Sequence, residues 1–117
     1  MAWKVFVTDG LEANGKEIIN QNNTVVDKKG IEAEELLTLI YEADALIVRG
    51  RTKVTGDLIK AAKNLKVVGR MGVGVDNIDL KAAKENNVIV VNAAIATSEA
   101  VAELAMGMIF ALARELP

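Results

Sequence analysis

Three arginines are the residues whose type and spacing could do chemistry. They stand beside glycines in two short motifs, Arg49-Gly50-Arg51 and Arg70-Met71-Gly72-Val73-Gly74. A guanidinium offers planar, paired donors that suit a carboxylate or a phosphate. Glycines at 69, 72 and 74 leave backbone N–H groups open to the approach of a small anion. The same arginines could instead pair with Asp76 and Asp79, and residue type alone weighs the two uses about equally.

Much other chemistry is excluded. The 117 residues include no His and no Cys, which removes thiolate nucleophiles, Ser-His triads, imidazole acid/base catalysis and metal sites built on sulfur or imidazole. Carboxylate, Lys and Tyr remain for proton transfer, and no catalytic or metal-ligating residue is assigned. Fourteen basic against 16 acidic side chains give a net charge of −2 and a pI near 5.2. A nucleic-acid binder would show a basic face instead. The opening Met-Ala-Trp-Lys-Val-Phe-Val lacks the order of a secretion signal and runs straight into a strand-like pattern, so a cytoplasmic location is expected. The length suits one domain, able to bury roughly two-thirds of its unfolded surface without disulfides.

Two ligand motifs fail on their context. Gly72-Val73-Gly74-Val75-Asp76-Asn77 follows a strand pattern like a dinucleotide fingerprint, but its third glycine is replaced by Asn77. The next strand pattern ends in Asn92 rather than in the acid that would hold a ribose. A receiver-type phosphoacceptor needs an Asp at the end of the third strand to help hold a divalent cation. That position is Arg49.

The elements that position these loops alternate along the chain. Trp3 to Thr8, Thr24 to Asp27, Ala45 to Arg49, Lys66 to Gly69 and Val88 to Val91 read as short strands, largely apolar without interruption. Between them, Leu11 to Asn20, Ile31 to Ala43, Thr55 to Leu65 and Ile78 to Glu85 show helical spacing. Asn86-Asn87 suits a helix end, because Asn tolerates the left-handed conformation. Uninterrupted apolar strands alternating with helices describe an α/β fold with a parallel sheet covered on both faces. The arrangement is flavodoxin-like, with strand order 2-1-3-4-5 and ligands bound outside the carboxyl ends of the strands.

A last helix should start at Thr97-Ser98 and run to Leu116. From Val101 to Ala113 its only charge is Glu103, so it is apolar almost all round. That stretch falls short of the ~18 residues of a membrane span. One stripe can cover the sheet, while the other asks for another domain or subunit. A homodimer through residues 97–117 is expected, with this helix exchanged between chains as one arrangement. In a monomer the helix would have to fold back on its own sheet.

The stretch ALIVRGRTKVTGDLIKAAKNLKVVGRMGVGVDNIDLKAA, from Ala45 to Ala83, resembles the signature of D-3-phosphoglycerate dehydrogenases within the NAD-dependent D-2-hydroxyacid dehydrogenases. VIVVNA and VAELAMGMIFALARELP continue the likeness across most of the chain. It implies that residues 1–117 are a flavodoxin-like substrate-binding domain, with 97–117 crossing toward a Rossmann domain that binds NAD and is absent here. The family's catalytic Arg, Glu and His would lie in later sequence. By similarity, Arg49, Gly50 and Arg51 lie near the substrate phosphate or carboxylate. Arg70, Gly72, Val73 and Gly74 form the loop on the carboxylate, and Val73 touches the nicotinamide end of NAD. Where the family reads N-A-P-G or N-A-P-D, this chain has Asn92-Ala93-Ala94-Ile95, and Glu99 stands where an apolar residue is common; natural divergence and engineering both fit. The expected function is substrate binding, a small phosphorylated 2-hydroxy acid, without turnover or tight NAD binding by this chain alone. The other reading is a stand-alone flavodoxin-like scaffold.

Overall fold

The computed structural model describes residues 2–117. Five strands, β1 (Lys4–Val7), β2 (Thr24–Asp27), β3 (Ala45–Val48), β4 (Val67–Arg70) and β5 (Ile89–Asn92), alternate with helices α1 (Ala13–Asn20), α2 (Ala33–Leu39), α3 (Gly56–Ala61), α4 (Leu80–Glu85) and α5 (Ser98–Ala113). The strands form one parallel sheet in the order β2-β1-β3-β4-β5. Both the fold class and the strand order match the expectation from the sequence. All carboxyl ends therefore share one edge, and the loops after β1, β3 and β4 become neighbours there.

Side-chain alternation along the strands divides the sheet into two unlike faces. Phe6, Leu46, Val48 and Val68 point into the main core, where they meet Leu36 of α2, Leu58 and Ile59 of α3, and Ala82 and Ala83 of α4. On the other face the rows run Val5–Ala45–Val67–Ile89 and Val7–Ile47–Gly69–Val91. Val5, Val7 and Ala45 are buried at the β1–β3 side, yet Ile89 is 65% exposed and Val91 50%. That face is closed at one side and bare at the other.

Local chemistry explains the helix ends. Thr55 caps α3, its hydroxyl accepting from the Leu58 N–H at 3.3 Å, and Asp79 caps α4 by accepting from the Ala82 N–H at 2.9 Å. Each cap satisfies one of the donors that a first helical turn leaves orphaned. Asn87 takes the left-handed conformation, φ 57°, and ends the turn after α4 as its residue type suggests. The helices are mostly shorter than their apolar spacing predicts. Thus α2 tightens into a 3-10 turn at Ile40–Glu42, and α3 stops at Ala61 rather than Leu65.

The terminal helix departs from expectation. Neither of its stripes covers the sheet: none of the 16 residues of α5 is buried, and Leu112 is 80% exposed. The radius of gyration is 17.4 Å, against about 13 Å for a compact chain of this length, and the long axis reaches 57 Å. The chain just before the helix is anchored. The Ala93 N–H donates to the Gly72 carbonyl at 3.0 Å and the Asn92 amide to the Val73 carbonyl at 2.7 Å, which ties the end of β5 to the carboxyl edge; after the turn at 94–97, α5 leaves the sheet.

Two substitutions calibrate this packing. Leu46→Ala, at a wholly buried position, should cost about 3 kcal/mol through lost burial and the cavity left behind. Thr55→Ala should cost about 1 kcal/mol through the lost cap. Urea denaturation followed by circular dichroism measures both, and equal costs would contradict the arrangement described.

Candidate functional site

The loop that carries Arg49 and Arg51 is gripped from two sides. From β1, the Asp9 carboxylate accepts the Arg49 N–H at 2.7 Å, the Thr52 N–H at 3.1 Å and the Thr52 hydroxyl at 2.6 Å. From the loop after β4, the buried Asn77 amide donates to the Arg49 carbonyl at 3.1 Å and the Thr52 carbonyl at 2.8 Å. Both clamps close on the same two residues. Arg49 is thus held at its N–H and at its C=O, which leaves its exposed side chain free while fixing the point from which it projects. The isolated bridge between Val54 and Ile78 ties the two loops further.

Asp9 is only 4% exposed at its side chain. Burial pushes its carboxyl pKa up, but the Thr52 hydroxyl, the Arg49 and Thr52 N–H groups and the Arg51 charge together outweigh burial and hold it below the ordinary carboxylate range. Each hydrogen bond to the charged form favours ionisation.

The three arginines do not behave alike. Arg51 pairs with Asp9 at 3.4 Å and donates to the carbonyls of Thr8 and Ile31 at 3.3 and 2.9 Å; its guanidinium staples the ends of β1 and of the loop after β2. Arg49 and Arg70 have no carboxylate within 4.0 Å among the described residues, so neither pairs with Asp76 or Asp79. Asp79 is engaged instead as the cap of α4. A Cβ on Gly72 would fall 1.7 Å from Arg70 Nη1, and one on Gly50 would lie 3.7 Å from Nη2. The Arg70 guanidinium therefore occupies the space that a side chain at 72 would need, against the Arg49-Gly50-Arg51 loop. Its Nε is buried without a partner. The Gly72 N–H, expected to be open to an anion, instead donates to the Arg70 carbonyl at 2.9 Å; two guanidinium groups without a carboxylate partner stand beside Gly72 and Gly74, an arrangement chemically suited to an anion.

The same loop is a poor cradle for a dinucleotide. A pyrophosphate would need the free N-terminus of the following helix, but the Asp79 carboxylate already caps α4. Asn77 is spent on the clamp, and the Asn92 amide is bonded to Val73. Val73 itself is 51% exposed, open to contact from outside the chain. No cluster of three or more His, Cys, Asp or Glu able to hold a metal occurs among the described residues, and no helix there is long and apolar enough to cross a membrane.

The sequence puts Asp9-Gly10 on the carboxyl edge of the sheet, but it does not show the partnership of Asp9 with Thr52 or that of Asn77 with the Arg49 loop. The one signal for these partnerships is an acid at the end of the first strand, opposite a Thr after the third. Replacement of Asp9 by Asn should cost about 2–3 kcal/mol, because an amide nitrogen would then face N–H donors in a buried site. Because the folded-state pKa of Asp9 is depressed, its contribution is present above the unfolded value of about 3.9 and is lost as pH falls through the folded one. Acid unfolding of Asp9→Asn should accordingly be shallower than wild type below about pH 4.

Comparison with known proteins agrees with this architecture. The chain is 51% identical over 114 residues to a D-3-phosphoglycerate dehydrogenase of Methanocaldococcus jannaschii, covering 97% of this chain and 22% of that one. It is 43% identical to a hydroxypyruvate reductase of Thermotoga maritima, of which it covers 38%. A crystal structure of 3-phosphoglycerate dehydrogenase from Entamoeba histolytica, with NAD+ bound, superposes with a TM-score of 0.74 at 28% identity, over 95% of this chain and 39% of that one. The chain thus spans between about a fifth and two-fifths of these relatives. The family model for the catalytic domain of D-isomer specific 2-hydroxyacid dehydrogenases matches residues 5–113, and the chain belongs to that family.

Proposed function

We propose that residues 1–117 are the substrate-binding domain of a phosphoglycerate dehydrogenase-type oxidoreductase. The reaction is oxidation of 3-phosphoglycerate to 3-phosphohydroxypyruvate, the chemistry of serine biosynthesis in the cytoplasm. The observation that carries this reading is the pair of uncompensated guanidinium groups, Arg49 and Arg70, beside the glycine loop at the sheet edge. A substrate with an anionic group at each end needs separated cationic contacts, and this edge supplies them.

Each residue then has a physical task. Arg70 and the backbone N–H groups of Val73 and Gly74 take the carboxylate, while Gly72, whose own N–H is spent on the Arg70 carbonyl, leaves the room that the Arg70 guanidinium fills. Arg49, projecting beside Gly50, takes charge from the other end of the molecule, and Arg51 holds the loop through Asp9. NAD would supply the hydride acceptor in the full enzyme, and the exposed Val73 would line the approach of its nicotinamide end. Its pyrophosphate has no cradle in the 72–77 loop, so this chain contributes the grip on the acid and no turnover alone. Residues 97–117 cross toward the nucleotide-binding domain. Their exposed apolar surface also favours a second copy, giving a homodimer through α5.

Titration with 3-phosphoglycerate, followed by amide shifts, tests the site. Localised shifts at Arg49, Gly72 and Gly74 are expected, and Arg49→Ala or Arg70→Ala should weaken binding about 10-fold or more through loss of charge-assisted hydrogen bonds. Gly72→Ala should do the same by expelling the Arg70 guanidinium. The absence of shifts at millimolar ligand would favour a scaffold without a substrate site. NADH production from 3-phosphoglycerate by the pure 117-residue chain would overturn the assignment of the chemistry to other parts of the enzyme. Sedimentation equilibrium tests assembly: a monomer at high concentration would remove the proposed dimer.

A further inference from the structure

A groove of about 380 Å³ opens between α2 and α3, in the helical layer that covers the main core. Neither Arg49, Arg70 nor the 72–74 loop lines it. Its floor is the buried Ile31, Leu36 and Leu58, and Leu37, 43% exposed, stands beside them. Arg51 and Thr52 also line it, but both are committed elsewhere: the guanidinium to Asp9 and to the Thr8 and Ile31 carbonyls, the hydroxyl to Asp9 and Thr8.

The rim is acidic. Glu32 and Glu34 stand at the start of α2 and Asp57 at the start of α3, with Lys53 as the one uncommitted cation among the lining residues. None of these four has an opposite charge within 4.0 Å among the described residues. The helix dipole accounts for Glu34 and Asp57, since a first turn favours acids. It leaves Glu32 without a task, because this residue occupies the N-cap of α2 and its side chain makes no cap hydrogen bond. Three carboxylates against one ammonium make the mouth of the groove negative.

Apolar surface continues beyond the cavity. Ala33, Leu37 and Tyr41 are spaced four residues apart along α2 and the turn that follows it, and all three are exposed, Tyr41 by 53%. Residues so spaced share one helix face, beside the Leu36 and Ile40 positions that enter the core. The cavity lies at the lower end of ligand-pocket sizes; it has room for an anchoring side chain, and the stripe along α2 has room for that residue's neighbours. An apolar anchor in a pocket is the usual centre of a protein contact, and charge opposite to the rim sets its orientation and on-rate. Because carboxylates stand on both helices that wall the groove, the matching occupant is apolar in the middle and basic at either side.

We propose that the groove between α2 and α3 docks a polypeptide segment in which a leucine- or phenylalanine-type side chain is flanked by Lys or Arg. The anchor rests on Leu36, Leu37 and Leu58, and the flanking cations meet Glu32 and Glu34 on one wall and Asp57 on the other. This partner site goes beyond the substrate reading and does not depend on it.

Titration of the isotope-labelled 117-residue chain with the capped peptide Lys-Leu-Leu-Lys, in low salt, tests it through amide shifts. Shifts confined to the groove, at Leu37, Thr52, Thr55 and Leu58, are expected. The capped peptides Glu-Leu-Leu-Glu and Lys-Ser-Ser-Lys each lack one half of the match and should bind at least about 5-fold more weakly. The double variant Glu32→Gln, Glu34→Gln should weaken Lys-Leu-Leu-Lys about 5-fold, the scale of two exposed ion pairs, and Leu37→Ser should weaken it through lost apolar contact. All three positions are exposed, and a circular dichroism spectrum like that of wild type shows that the fold is kept. No shifts at millimolar peptide, shifts scattered over the acidic surface, or equal binding of the three peptides would overturn the proposal. Binding of n-hexylamine as tight as that of Lys-Leu-Leu-Lys would overturn it in favour of a small-molecule site.

Discussion

The Asp9 carboxylate is almost wholly withdrawn from water, and it stays ionised because donors from residues 49 to 52 close around it. An isolated carboxylate in that position would be strongly disfavoured. Its need for donors therefore organises the loop after β3 as much as any apolar contact does. Asn77 answers from the other side with donors to the Arg49 and Thr52 carbonyls, so the backbone polar groups of these two residues are satisfied without a helix or a strand. A loop held this way can present a charged side chain at a defined place. Arg49 inherits its position from Asp9 and Asn77, although neither touches its guanidinium.

The fold was legible because strand burial is written directly into composition. ALIV at 45–48 and its counterparts are apolar without alternation, the mark of strands covered on both faces, and their spacing leaves room only for short crossover helices. The left-handed turn at Asn87 was legible for a similar reason, residue type matching backbone need. The site was half legible. Arginine and glycine announced an anion, but which arginine is free depends on partners 40 or more residues away: Arg51 is claimed by Asp9 and by the Thr8 carbonyl. Such pairings have no periodicity. They arise because parallel strands bring the ends of β1 and β3 side by side, and no local spacing encodes which acid will meet which base.

The apolar terminal helix shows a different case, in which composition announces a need for burial without naming the partner. Its two stripes were visible, but a stripe says only that burial is needed, not against what. Short helices are marginal in water by propensity alone, so the exposed leucines and methionines of α5 represent stabilisation still to be gained. The sheet carries a matching deficit at Ile89 and Val91. Ala93 and Asn92 are bonded to the 72–73 loop, so the end of β5 stays fixed at the carboxyl edge while α5 lies apart from the Ile89 and Val91 face.

The same edge explains why anion binding, rather than proton transfer, is the chemistry these residues support. A general acid or base must exchange its proton with a ligand, which requires a free lone pair within reach. Asp9 has its oxygens committed to the 49–52 loop, and Asp79 is committed to the first turn of α4. With no His or Cys in the sequence, the groups best placed at the sheet edge are permanently protonated guanidiniums and backbone N–H donors. These hold charge but do not relay protons at neutral pH. In the proposed reading, an edge so composed would fix the ends of an acid and leave the bond-changing step to groups brought against it from another direction.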